Sequence, residues 1–209
     1  MWSDVACPWC YIGKRRLENA LNDFEEREGV TLVWRSFQLD PQAPKQAGIP
    51  VAEMLAEKYG VSLAEAQAMN ERVAGLAAEV GLEFRLDEVR YGNTFDAHRL
   101  VHFAAARGAQ ARMKERLFAA YFTEGEDLGD DAVLARLAEE IGLDGEEARA
   151  ALSGEAFADE VLADRARAGE LGIRGVPFYL IDEKLAISGA QPLATFTRAL
   201  EKAWADAKG

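Results

Sequence analysis

The stretch Val5-Ala6-Cys7-Pro8-Trp9-Cys10 sets two thiols three positions apart, where a short apolar segment runs into a helix. Pro8 suits the first position of that helix, because its missing N–H would have had no intrahelical partner there. The helix is expected from Pro8 to Glu28, with Leu17, Ala20, Leu21 and Phe24 along one face and Gly29 as its stop. Val30-Thr31-Leu32-Val33-Trp34-Arg35-Ser36-Phe37 follows. It is rich in β-branched and aromatic residues and apolar on both faces near its start, which predicts a buried strand. Strand, helix, strand makes a parallel βαβ unit, and Cys7 falls at its first junction.

Two sulfurs at i and i+3 on a first helical turn share a face and lie within the Cα separation of about 4.4–6.8 Å that a disulfide needs. A helix N-terminus offers unpaired N–H groups and the positive end of the helix dipole, and both stabilise a thiolate. Cys7 is therefore expected to be the exposed, acidic nucleophile, with Cys10 buried one turn in as the resolving thiol. These are the two cysteines of the chain, so they cannot staple distant segments as a secreted disulfide framework does. Two other readings compete. The pair could be core cysteines, since cysteine favours interiors; a strand-to-helix junction behind a proline is a poor place for that. They could also join His98 and His102, the two histidines, which stand at i and i+4 on one helix face, as four zinc ligands. The long separation of the two pairs along the chain argues against a compact zinc module, and no metal is expected.

Beyond the βαβ unit, Asp40 to Pro50 has the composition of a turn-forming linker. Apolar spacings of three and four then predict helices near 51–59, 63–80, 94–107, 110–122, 130–141 and 155–171. Strand signals return at Phe178-Tyr179-Leu180-Ile181 and Leu185-Ala186-Ile187, which form a hairpin around Asp182-Glu183. Pro177 stands just before the first of these strands, where its ring removes a ladder hydrogen bond. Gly189-Ala190-Gln191-Pro192 opens a last helix that buries Leu193, Phe196, Leu200 and Trp204.

Lys and Arg number 24 against 36 Asp and Glu, a net charge of −12, which argues against nucleic-acid or anionic-membrane partners. No apolar run is long enough to span a bilayer. Met1-Trp2-Ser3-Asp4-Val5 has neither the basic nor the apolar region of a signal peptide, so a cytoplasmic location is expected. The first recognisable feature begins almost at once, which leaves the native start of the chain open upstream.

The β-α-β…β-β-α order with Cys-x-x-Cys on the first helix resembles the thioredoxin fold, and Gly175-Val176-Pro177 resembles its cis-proline loop. Three stretches resemble the FrnE-like branch of the DsbA family: Asp4-Val5-Ala6-Cys7-Pro8-Trp9-Cys10-Tyr11-Ile12-Gly13-Lys14, Asn93-Thr94-Phe95-Asp96-Ala97-His98-Arg99 and Ser188-Gly189-Ala190-Gln191-Pro192. The resemblance spans essentially the whole chain. It implies an α/β, thioredoxin-like fold with a large all-helical domain inserted between the βαβ and ββα halves. Residues 1–40 and 173–209 would form the thioredoxin-like domain and 51–172 the insert, with a substrate groove between them.

The same resemblance implies that Val176 and Pro177 face Cys7 across a cis peptide bond, with Pro8 and Trp9 shaping the site. Asn93, Thr94 and His98 would lie on the insert near the groove. The implied activity is thiol–disulfide oxidoreduction on protein or small-molecule thiols and disulfides, disulfide isomerisation included. An extended substrate peptide would pair its backbone with Val176. No cofactor is required; glutathione or another thiol would serve as redox partner. The alternative is a glutathione-dependent isomerase or kappa-class-like glutathione transferase, families similar in fold that usually carry serine at the nucleophile position. Two departures from the family pattern stand out: the first strand is short, and no third cysteine is present for an internal relay, so redox equivalents must come from another molecule.

Overall fold

A computed structural model describes residues 1–46 and 48–208. The elements run β1 (Trp2–Ser3), α1 (Pro8–Asn22), β2 (Arg35–Ser36), α2 (Val51–Tyr59), α3 (Leu63–Ala78), α4 (Phe95–Ala105) and α5 (Gln110–Phe122). They continue with α6 (Asp131–Glu140), α7 (Gly145–Ser153), α8 (Ala158–Glu170), β3 (Phe178–Ile181), β4 (Leu185–Ser188) and α9 (Leu193–Lys208). One sheet forms in the order β2-β1-β3-β4. β1 pairs parallel with β2, Trp2 opposite Arg35, and antiparallel with β3, Trp2 opposite Phe178. The β3–β4 hairpin closes on Asp182 and Glu183, both in the left-handed region. This is a thioredoxin-like α/β fold, with α2–α8 inserted between its two halves. No helix among the described residues is long and apolar enough to cross a membrane.

The βαβ unit is shorter than its sequence suggests. α1 ends at Asn22, not Glu28, and a 3-10 turn over Arg27–Gly29 follows. The reason is tertiary: Phe24 leaves the helix face to meet the Trp204 ring of α9 edge-on at 6.1 Å. Gly29 passes so close beneath Trp204 that an added Cβ would lie 2.5 Å from its ring. The strand expected over 30–37 contracts to Arg35–Ser36. Its partner β1 spans Trp2–Ser3, and Met1 N donates to Val33 O at 2.8 Å. Residues 30–33 lie outside the assigned sheet, and Val33 is 44% exposed rather than buried.

The helices expected in the insert lie close to their bounds, several of them with a cap or stop of their own. Ser62 and Glu65 form a reciprocal capping box at the start of α3, and Asp130 accepts from Ala132 N at 2.7 Å to open α6. Gly108 and Gly172 take φ of 67° and 69° just beyond α4 and α8, a conformation that costs other residues more. α7 was not foreseen. It buries only Gly145, Ala148 and Leu152, too thin an apolar stripe to register as a period, and it starts because Asp144 caps Glu147 N at 3.0 Å.

Helix α5 ties the insert to the sheet side. Tyr11 of α1 stacks on Phe118 of α5 at 4.7 Å, a contact worth about 0.5–1.5 kcal/mol beyond its buried area. Beside it Glu115 accepts from Tyr11, Lys14 and Arg15 together. α5 thus presents a fixed face to the first turn of α1, where the two cysteines sit.

Candidate active site

Cys7 is the N-cap of α1, with extended backbone (φ −96°, ψ 110°), and Pro8 begins the helix. Cys10 N donates to Cys7 O at 3.0 Å, so the two thiols share the first turn. No acidic residue stands in that turn to offset the positive end of the helix dipole. Cys10 is fully buried, as expected. Cys7 is not the exposed residue that its helix-end position suggests; only 3% of it is accessible. Its cover comes from a distant part of the chain: Cys7 Sγ donates to Val176 O at 3.6 Å, and the Val176–Pro177 bond is cis. The Pro177 carbonyl in turn accepts from Gly189 N at 2.8 Å, which anchors that loop to the end of β4.

Access to Cys7 runs through a cavity of about 320 Å³. Cys7, Pro8, Trp9 and Val176 form one side of it. The helical insert forms the other, largely with Met54, Met69, Val73, Leu86 and Tyr91. Trp9 is 40% exposed and lines the same cavity. Thr94 lines this cavity. Asn93 and His98, expected near the groove, do not. Asn93 instead braces the linker, accepting from Phe95 N at 2.8 Å and donating to Ala43 O at 2.9 Å. His98 lies beneath the site, its Nε2 3.3 Å from Asp4 Oδ1.

The floor below the cysteines is charged, a feature the sequence analysis missed. Asp4 is buried and accepts from Leu39 N at 2.7 Å and Ala6 N at 3.3 Å. Burial works to raise its carboxyl, but hydrogen bonds from His98 and Leu39 outweigh that and hold it below the usual carboxylate range. His98 is pushed down, chiefly by burial. Burial pushes the Cys10 thiol well up, and the neighbouring Cys7 adds to it. Lys114 of α5 is buried there as well, lowered to about 8 by burial against the pull of Cys10, Asp4 and Cys7. The signal for this floor was polar residues at positions that α4 and α5 turn inward, His98 and Lys114.

Gly13 sets how closely the cis-proline loop approaches α1. An added Cβ there would lie 2.4 Å from Tyr179 Oη and 3.2 Å from Pro177 Cγ. His102 faces away from all this, 3.0 Å from Ser36 Oγ and 3.1 Å from Asp164 Oδ2. The two histidines thus serve different carboxylates, and among the described residues no three His, Cys, Asp or Glu side chains converge as metal ligands. What the site does hold is a pair of thiols, one at a cavity wall and one sealed behind it, an arrangement able to exchange with an external disulfide.

Residues 1–201 match the family described as DSBA-like thioredoxin domain. The chain is 46% identical to a probable DsbA oxidoreductase from Streptomyces coelicolor of known crystal structure, covering 98% of this chain and 88% of that one with a TM-score of 0.93. It resembles in fold a cytosolic disulfide reductase, DsbM, from Pseudomonas aeruginosa solved with GSH, at 21% identity and TM-score 0.66 over 96% of each chain. It also resembles in fold a 2-hydroxychromene-2-carboxylate isomerase, at 18% identity and TM-score 0.70 over 96% of this chain and 93% of that one. With its fold, its cis-proline loop and its paired thiols described, the chain belongs to the family of DSBA-like thioredoxin domains, the disulfide oxidoreductases related to DsbA.

Proposed function

We propose that this protein is a thiol–disulfide oxidoreductase of the FrnE-like branch, with Cys7 as nucleophile and Cys10 as resolving thiol. One observation carries the reading: Cys7 caps α1 at the wall of a cavity, held 3.6 Å from Val176 O beside a cis-proline, while Cys10 one turn on is fully buried. A nucleophile reached from one direction and a partner that cannot leave are the two conditions for directional exchange.

In the oxidising direction a substrate thiolate attacks Cys7 Sγ of a Cys7–Cys10 disulfide, and Cys10 leaves as the thiol. A second substrate thiol then attacks the mixed disulfide, forming the substrate disulfide and releasing Cys7 reduced. The enzyme takes up two electrons and two protons. Run backward, the same steps reduce a substrate disulfide, and the two directions in sequence isomerise one. With two cysteines in the chain, an external partner must complete the cycle: after oxidation of a substrate, a disulfide such as oxidised glutathione restores the Cys7–Cys10 disulfide, and after reduction of one, a thiol such as glutathione restores the dithiol. The substrate backbone pairs beside Val176, and its neighbouring side chain enters the apolar cavity below Trp9. In this division of labour residues 1–40 and 173–209 carry the redox chemistry, and 51–172 form the domain that shapes the cavity. Such a cycle suits a cytoplasmic thiol pool.

The isomerase of the same fold motivates a glutathione-dependent isomerase or kappa-class-like transferase as the alternative. A cysteine at position 7, backed by a second at position 10, favours redox exchange over it. Insulin reduction measured beside isomerisation of a glutathione conjugate tests both. Turnover of insulin that vanishes in Cys7→Ala is expected. Isomerisation that survives Cys10→Ala, with no reduction of insulin, would reverse the assignment.

A further inference from the structure

Lys114 is a buried charge that the exchange steps do not employ. It stands on α5, 1% exposed, with Nζ 5.1 Å from the Phe118 ring centre and 5.6 Å from that of Trp34. Among the described residues its ammonium has no hydrogen bond and no ion pair, whereas its neighbour Glu115 is held by three partners. A buried cation supported by ring faces alone is costly, and the cost is offset if an anion forms beside it during turnover.

The Phe118 ring that Lys114 faces stacks on Tyr11, the residue after Cys10, so α5 brings the buried ammonium to the buried first turn of α1; Cys10 there, with Asp4 and Cys7, works to hold its proton on. Asp4 is already committed to His98, Leu39 and Ala6. Cys10 is the one that must become an anion, because it has to attack the mixed disulfide as a thiolate. We propose that Lys114 is the electrostatic partner of Cys10 in the resolving step, an ammonium held in the apolar wall to stabilise the transient buried thiolate. This rests on the redox-pair reading above. In the step the Cys10–Cys7 bond forms, the bond from Cys7 to the substrate sulfur breaks, and the substrate leaves with the electron pair. The proton that Cys10 gives up to solvent is recovered by the departing thiolate, and Lys114 keeps its own proton throughout. Lys114 acts through Cys10 and touches no substrate, so it is a positioning residue.

The other titratable groups around it do not supply that charge. Burial lowers His98, so it is neutral near pH 7. Tyr179, facing both cysteines, is pushed up by burial and stays neutral. Asp4 is an anion and opposes the thiolate. Lys114, lowered to about 8, is still mostly charged at pH 7.

Single-turnover mixing of the reduced protein with dithiobis(nitrobenzoate) separates the two steps, since Cys7 attack releases the first aromatic thiol and Cys10 attack the second. In Lys114→Met the second release at pH 7 should slow about tenfold or more, because an adjacent opposite charge displaces a titration by roughly one to three pH units. The first release should change far less. The difference should narrow above about pH 8, where the native Lys114 loses its proton. Lys114→Gln should behave alike, with thermal melts confirming that both variants fold. Equal slowing of both releases, or a second release with the native rate and pH profile, would overturn the inference alone. A native protein that releases only one thiol would remove the redox-pair reading and this inference with it.

Discussion

Cys7 Sγ lies 3.6 Å from the carbonyl oxygen of Val176, a contact made across 169 positions of the chain. It joins the first helix to the loop entering β3, and it leaves the nucleophile covered on one side and open to the cavity on the other. Reactivity at Cys7 therefore depends on the loop as well as on the helix end.

The two thiols should divide their labour. Cys10→Ala is expected to accumulate mixed disulfides on Cys7 with cellular proteins, because the sulfur that would clear them is gone. Cys7→Ala should accumulate few and be inactive, since Cys10 is sealed from the cavity. Non-reducing gels followed by mass spectrometry provide the readout. Equal adduct levels on Cys10 in the Cys7→Ala protein would reverse the polarity of the site.

Close approach at Gly13 predicts a second outcome. Gly13→Ala would set a methyl 2.4 Å from Tyr179 Oη, and overpacking of this kind costs about 1–3 kcal/mol. Tyr179 Oη is buried without a hydrogen-bond partner among the described residues, so Tyr179→Phe should be near neutral or stabilising. Combining the two should recover part of the loss, because removing the hydroxyl clears the nearest atom. Chemical denaturation of the four proteins in a double-mutant cycle measures it; strict additivity would mean that the two side chains do not meet.

Acid should destabilise the fold through the floor of the site. Asp4 and His98 both titrate below their ordinary values of 3.8 and 6.5, so each binds fewer protons folded than unfolded. The stability that His98 contributes is whole above 6.5 and declines as pH falls through its folded value; Asp4 extends the loss at lower pH. The melting temperature should therefore drop as pH falls below about 6.5, and His98→Gln should flatten that drop. An unchanged slope in His98→Gln would assign the acid response to other groups.

Zinc should not co-purify in proportion to chain. The two histidines face Asp4 and Asp164 rather than the cysteines. Elemental analysis of protein prepared under reducing conditions is expected to find far less than one zinc per chain, indifferent to His102→Ala. Stoichiometric zinc that disappears in that variant would restore the four-ligand reading.

Local sequence determined whatever depends on neighbours along the chain. Pro8 at the first helical position, the capping box of Ser62 and Glu65 and the glycines past α4 and α8 act within a turn of themselves. The helices they bound were legible for that reason. The pair Cys7 and Cys10 was legible too, since three positions on a helix place two side chains together without reference to the rest of the fold. Tertiary structure alone decided the remainder. Trp204 ends α1 early by claiming Phe24 and Gly29. Val176 covers Cys7, Gly13 admits the loop that does so, and Asp4, His98 and Lys114 gather beneath from three separate segments. Each of these rests on contacts between residues far apart in the chain, which spacing cannot encode and only packing brings into register.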